Sequence, residues 1–299
     1  MADRQPNMHH EAEALASSLP PLLIAAERVA STVSQGVHGR RRVGQGETFW
    51  QFRRYQFGDD AQMIDWRQSA KSQPVYVREN EWEAAQSVWL WRDASASMDY
   101  RSSRNLPTKG ERADLLFLAL ASLLIRGGEH IAALGSGLPP RSGRAALLRL
   151  AAQVESETSG RTPRQARSSL PRLEALPRYG HVIWIGDFLS PLPEVKAVID
   201  GFARRGIRGH ILQVLDPAEE LLPFEGRIQF EGTEQEGQVL IGRVETVRGE
   251  YRGLMESHQH GLGALAQAVE WSFATHRTDR SPQAALLTLF MAMSPHLRT

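Results

Sequence analysis

Two rhythms of apolar and polar residues divide the chain. Between Glu11 and Val33, Leu22, Leu23, Ala26 and Val29-Ala30 form a stripe at helical spacing, interrupted by Pro20-Pro21. From Thr48 to Asn80 aromatic and polar residues alternate. That pattern predicts short strands and turns, with Gly58-Asp59-Asp60 at one turn and Pro74-Val75-Tyr76-Val77 opening a strand. After residue 86 short apolar runs take turns with amphipathic stretches. Strands are predicted at Ser87–Trp91, His130–Leu134, His181–Ile185, Ile211–Leu215 and Val269–Ala274. Helices are predicted at Lys109–Arg126, Arg144–Val154, Pro171–Leu176, Glu194–Arg205, Arg248–Ala268 and Ser281–Met293, and a hairpin over 223–244. Gly127-Gly128 and Gly206 mark helix ends, and Pro282 stands at a first helical position.

Strands alternating with helices predict βαβ units, hence an α/β, doubly wound, mainly parallel sheet with helices on both faces. The expected division is an N-terminal tail and helix over 1–38, a β-rich inserted segment over 39–86 and the main α/β domain over 87–299. In such sheets ligands bind at the carboxyl ends of the strands, so the residues just after each strand carry the functional question.

Composition narrows the field. The 299 residues hold 35 Lys+Arg against 34 Asp+Glu, a formal net charge of +1, unlike a surface built throughout for nucleic acid or an anionic membrane. No cysteine is present, which excludes disulfides, a thiol nucleophile and thiolate metal sites and suits a reducing cytoplasm. The longest strongly apolar run, Leu115 to Ile125, is 11 residues and falls short of the roughly 20 that a membrane helix needs. The N-terminus lacks the basic start and apolar stretch of a signal peptide, so a cytoplasmic protein without a membrane span is expected. Only Lys71, Lys109 and Lys196 are lysines.

Chemistry gathers after two strands. Asp93-Ala94-Ser95-Ala96-Ser97 places one carboxylate and two hydroxyls at alternate positions directly after the first strand of the main domain. Asp187 ends another apolar strand, and Thr162 lies in a loop between them, with Thr158 as an alternative hydroxyl. Hard oxygen ligands of this kind suit Mg2+, Mn2+ or Ca2+. Taken alone, the D-x-S-x-S pattern also reads as a capping turn. The order D-x-S-x-S, loop threonine, strand-end aspartate resembles the metal-ion-dependent adhesion site of von Willebrand factor A domains. By that resemblance Ser95, Ser97 and Thr162 ligate the ion directly, while Asp93 and Asp187 act mainly through bound water.

The upstream block points to a narrower family. Tyr55-Gln-Phe-Gly58-Asp59-Asp60, then Ile64-Asp65-Trp66-Arg67-Gln68-Ser69-Ala70, then Val75-Tyr76-Val77-Arg78-Glu79 resembles the domain of unknown function 58 family, whose signature reads Y-x-x-G-D-D-x-x-x-I-D-W-x-x-S-A. The resemblance runs from about Gly39 to residue 293. It implies a von Willebrand factor A-like domain with an inserted β-rich segment, and frequent association with bacterial MoxR-type AAA+ ATPases. The family has no agreed biochemical activity. Asp59, Asp60 and Asp65 are read as a second cation site or an arginine-receiving face; the preferred reading is that Asp60 and Asp65 cap the turn or cross-link it to Arg53, Arg54 or Arg67. Tyr55 and Trp66 are expected to be core anchors between this segment and the main sheet.

Other chemistries find no support. Gly135-Ser-Gly137 and Gly44-Gln-Gly46 open no helix, so neither is a nucleotide fingerprint, and no lysine stands in a phosphate loop. His258 and His260 are two apart on a helix and face different ways, and no serine has a nucleophile-elbow setting. The expected protein is therefore a non-enzymatic scaffold that offers a metal-bound docking point to a MoxR-type ATPase or its client. The alternative keeps the fold with a vestigial metal site and docks through charge. Residues 139–178 carry eight arginines against three glutamates, and residues 216–236 carry seven acids against one arginine. Nucleic-acid binding through Arg40-Arg41-Arg42 and the arginine-rich stretch ranks last, because stacking aromatics are absent from both.

Overall fold

The computed structural model describes residues 21–36, 43–44, 48–55, 64–71, 74–81, 86–158, 168–233 and 237–293. In chain order these give helix α1 (Pro21–Gly36), strands β1 (Val43–Gly44) and β2 (Thr48–Arg54), short helix α2 (Trp66–Ser69) and strand β3 (Tyr76–Glu81). There follow β4 (Ser87–Arg92), α3 (Lys109–Arg126), β5 (His130–Ala133), α4 (Arg144–Thr158), β6 (His181–Gly186), α5 (Leu192–Ala203) and β7 (Arg208–Leu215). The chain continues through α6 (Pro217–Leu221), β8 (Ile228–Glu231), β9 (Gln238–Ile241), α7 (Val244–Ala268), β10 (Ser272–Arg277) and α8 (Pro282–Met293).

Five of these strands form one sheet in the order β10-β7-β6-β4-β5, and every neighbouring pair is parallel. Because side chains alternate across a strand, each strand feeds both faces. Val88, Leu90, Ile183, Ile185, Leu212 and Val214 point to one face, where they join buried residues of α1, α3, α4 and α8. Trp89, Val182, Trp184 and Ile211 point to the other, against Val195, Ile199 and Phe202 of α5 and Leu262 and Ala266 of α7. All six residues of β6 are buried, as expected for a central parallel strand covered on both sides. The expectation of a doubly wound α/β sheet therefore holds.

Helix α3 lies in the middle of the first face and is buried around most of its circumference. Its start is set by a capping box: the Thr108 hydroxyl accepts from the Glu111 amide, and the Glu111 carboxylate accepts from the Thr108 amide at 2.8 Å. Several expected boundaries move. α7 begins at Val244 and α4 runs to Thr158. Residues 171–176 form no helix, and Leu173 lies against Gly201 of α5. β10 begins three residues later than expected, because Glu270 at φ 59° and Trp271, whose amide donates to Ala266 O, belong to the turn that ends α7.

By its contacts the chain divides into two units, residues 36–86 and the rest. Helix α1 belongs with the main unit, where Leu23, Ala26, Val29, Ala30 and Val33 are core residues. The smaller unit carries an antiparallel sheet in the order β1-β3-β2. Asp65 caps α2, its carboxylate accepting from the Gln68 amide at 2.8 Å. That matches the local-capping reading of this acid; Asp59 and Asp60 lie outside the described residues. Trp66 is 67% exposed and Tyr55 39%, so neither is a core residue of this unit, and the single turn of α2 has no buried residue.

Gly209 of β7 gives the fold a specific test. A Cβ there would lie 2.1 Å from the ring of Trp271, whose indole N–H donates to Ile207 O at 3.0 Å. Gly209→Ala should therefore cost about 1–3 kcal/mol in urea unfolding by overpacking. Unchanged stability would mean that the indole is free to shift.

Candidate cation site at the strand ends

The site is built where central strands stop. The Asp93 amide donates to Ile185 O at 2.8 Å, which continues the β4–β6 ladder by one residue. The Asp93 carboxylate then accepts from the Ser95 amide at 2.7 Å. This sharp side-chain-closed turn leads into a single 3-10 turn over Ala96–Asp99. The next strand, β6, ends at Gly186, and a Cβ on Gly186 would lie 2.8 Å from that of Asp93. Glycine here lets the two strand ends approach, which brings Asp187 beside the Asp93 turn.

Four of the five expected residues meet. Ser95 Oγ and Ser97 Oγ are 3.1 Å apart, and Ser97 Oγ donates to Asp187 Oδ2 at 2.6 Å. Asp93, Ser95 and Asp187 are all buried. Thr162 lies outside the described residues. Thr158 is the last residue of α4 rather than part of a loop. Its hydroxyl donates to Val154 O at 2.8 Å and reaches Asp114 Oδ2 at 3.4 Å, beside the Arg92–Asp114 and Arg92–Glu157 ion pairs.

The backbone after Asp187 is held by two side chains. Gln213 Nε2 donates to Asp187 O at 2.8 Å, and His258 Nε2 lies 2.7 Å from Phe188 O. A carbonyl only accepts, so Nε2 of His258 carries a proton.

Sequence reasoning did not assign Lys109, Asp216 and Glu219 to the site. Lys109 opens α3, is fully buried, and donates to Asp187 Oδ2 at 2.8 Å and to Glu219 Oε1 at 2.5 Å. Burial pulls its pKa down, but Asp187 and Glu219 outweigh that and raise it, so the group is an ammonium. Asp216 directly follows β7 and caps α6, accepting from the amides of Ala218 and Ser102, while the Asp216 amide donates to Glu219 Oε2. The signal available in the sequence was Asp216-Pro-Ala-Glu219, a capping-box spacing straight after a strand. Burial first, then Asp216 and Glu219, push the neighbouring Tyr100 hydroxyl up to about 12. A cavity of about 470 Å³ opens on this group, with Ser97, Tyr100, Asp187, Glu219 and Tyr251 in its wall.

These donors fit a hard divalent cation. Adjacent ligands of an octahedral Mg2+ at about 2.1 Å stand about 3 Å apart, close to the spacing of the two serine oxygens. Among the described residues no three His, Asp or Glu side chains gather as a metal-binding group. The set instead consists of hydroxyls with carboxylates behind them. A positive charge already lies on Asp187, that of Lys109.

The chain belongs to the DUF58 family, described as proteins of unknown function, whose profile matches residues 51–261. It is 26% identical over 279 residues to the uncharacterized protein Rv1480 of Mycobacterium tuberculosis, covering 89% of this chain and 86% of that one. The uncharacterized protein Mb1516 of Mycobacterium bovis matches equally. Among solved structures, an aerotolerance-related membrane protein from Bacteroides fragilis aligns over 70% of this chain and 98% of its own, at 16% identity and TM-score 0.40. The conserved hypothetical protein BatB from Bacteroides thetaiotaomicron aligns over 69% and 98%, at 18% identity and TM-score 0.36. No described helix of this chain is long and apolar enough to cross a membrane.

The start of α3, and with it Lys109, is held by Arg112. This buried guanidinium donates to Thr278 O, Arg280 O and His276 Nε2. His276 must be neutral to accept, and burial, then Arg112, push its pKa down to about 4. Unfolding returns it to about 6.5, so between these values the unfolded chain binds the extra proton. The stability due to neutral His276 is complete above about pH 6.5 and is lost as pH falls towards about 4, by at most about 3 kcal/mol. His276→Gln, which keeps an acceptor for Arg112 but does not titrate, should flatten the decline in urea stability between about pH 7 and pH 5. An unchanged slope would assign the decline to other groups.

Proposed function

We propose that this protein is a non-enzymatic interaction module whose docking point is the strand-end oxygen cluster acting as a Mg2+-type metal-ion-dependent adhesion site. The observation that carries the reading is the convergence of Ser95 Oγ, Ser97 Oγ and Asp187 Oδ2 at 3.1 and 2.6 Å. Hydroxyls and carboxylates of this kind select hard cations such as Mg2+, Mn2+ or Ca2+ over soft ones. In this reading Ser95, Ser97 and Thr162 hold the ion, and Asp93 and Asp187 hold its waters. The ion supplies a Lewis-acidic position that a partner's Asp or Glu completes. The von Willebrand factor A-like identity of the main domain belongs to the same reading. So does the partner that the family resemblance implies, a MoxR-type AAA+ ATPase or a client it remodels, in a cytoplasmic setting.

Docking through charged patches has less to work with. Of the acids in 216–236, Asp216 is buried as a cap, Glu219 pairs with Lys109 and Glu220 pairs with Arg277. Local structure therefore uses three of the seven acids in this stretch.

Binding of a purified MoxR-type ATPase from the same organism, measured in Mg2+, tests the proposal. EDTA, or Asp93→Ala in a protein that keeps its native circular dichroism, should each weaken the complex at least about tenfold, the lower end of what loss of a carboxylate behind a metal's own ligands costs. A complex that survives both changes would sink the metal-dependent reading. Loss only on raising salt would favour the charged patches.

A further inference from the structure

We infer that Lys109 is a tethered cation that competes with a divalent metal for Asp187, so that the site takes metal only when the ammonium withdraws to Glu219. The inference rests on the metal-dependent reading above and adds the means by which occupancy is controlled.

The geometry makes the two cations alternatives. Asp187 Oδ2 accepts from both Ser97 Oγ and Lys109 Nζ, at 2.6 and 2.8 Å. The ammonium therefore lies on the oxygen that ties the serine hydroxyls to the end of β6. A metal held by Ser97 shares that carboxylate with the ammonium, and both side chains are nearly or fully buried. In such surroundings like charges repel with little screening. Lysine suits this place better than arginine, because its compact charge on a flexible stem can move between acceptors while arginine locks into a fixed fork.

Glu219 is the second seat. Its Oε1 already accepts from Nζ, while Oε2 is fixed by the Asp216 amide at 2.9 Å. The seat thus stays in place whether or not Asp187 gives up the ammonium. The tether is equally fixed, since the Thr108–Glu111 capping box and the Arg112 hydrogen bonds hold the start of α3. Only the lysine side chain has to move. The cavity that meets Ser97, Asp187 and Glu219 gives the ion a way in.

Three lysines in the whole chain make this measurable in the unaltered protein. With 15N-lysine labelling, titration with Mg2+ should move the Lys109 Nζ resonance and leave those of Lys71 and Lys196. In parallel, Mn2+ affinity should tighten at least about tenfold in Lys109→Met. The double variant Lys109→Met/Glu219→Gln removes one buried charge of each sign and carries the comparison if the single variant does not fold. Metal that binds without moving the Lys109 resonance, or variants that bind no tighter than wild type, would overturn the competition and leave the metal site standing. Absence of metal binding by wild type and variants alike would overturn both readings.

Discussion

The parallel pairing of β4 with β6 at the centre of the sheet is the constraint on which the candidate site depends. With Val88 opposite His181 and Arg92 opposite Ile185, the two strands end within one residue of each other, and the ladder runs one residue further through Asp93 N and Ile185 O. Asp93 and Asp187 are thereby placed side by side, 94 positions apart in sequence. Cover on both faces makes this register hard to change, because a slip by one residue would turn Trp89 and Trp184 into the space of Leu90 and Ile185. Gly186 lets the two ends approach without a clash.

Placing acids at the ends of buried strands creates an electrostatic problem that the rest of the site addresses. A carboxylate in these surroundings needs donors or a cation nearby. Asp187 has a serine hydroxyl and an ammonium, and Asp216 has two backbone amides. Lys109 in turn is tolerable at full burial only because two carboxylates face it. Helix α3, its capping box and the Arg112–His276 contact thus support both the fold and the position of one charge. The near-neutral total of +1 conceals this arrangement, in which acids of the 216–236 stretch serve a cap and two ion pairs.

Much of the fold was legible in the sequence. The apolar runs at 87–91, 130–134, 181–185 and 211–215 and the amphipathic stretch at 109–126 are long or regular enough to declare themselves. Boundaries failed where tertiary packing overrides local preference. Pro171–Leu176 has helical spacing, yet Leu173 lies against Gly201 in an irregular segment, and the turn through Glu270 and Trp271 delays β10. Aromatic size did not bring burial to Trp66, which is exposed on a single helical turn with no buried residue.

Of the site, the sequence by itself determined the oxygen set: a carboxylate and two hydroxyls at alternate positions after one strand, and a carboxylate after another. Such spacing is local, and a strand followed by a tight turn leaves few other arrangements. Which strands are neighbours was settled only by the packed sheet. So was the cation buried among these oxygens. Lys109 is the first residue of a helix and Glu219 the third of another, 110 positions apart, and no periodicity links them. Their meeting with Asp187 is a property of packing, in which a buried charge must find its partners wherever the fold has placed them.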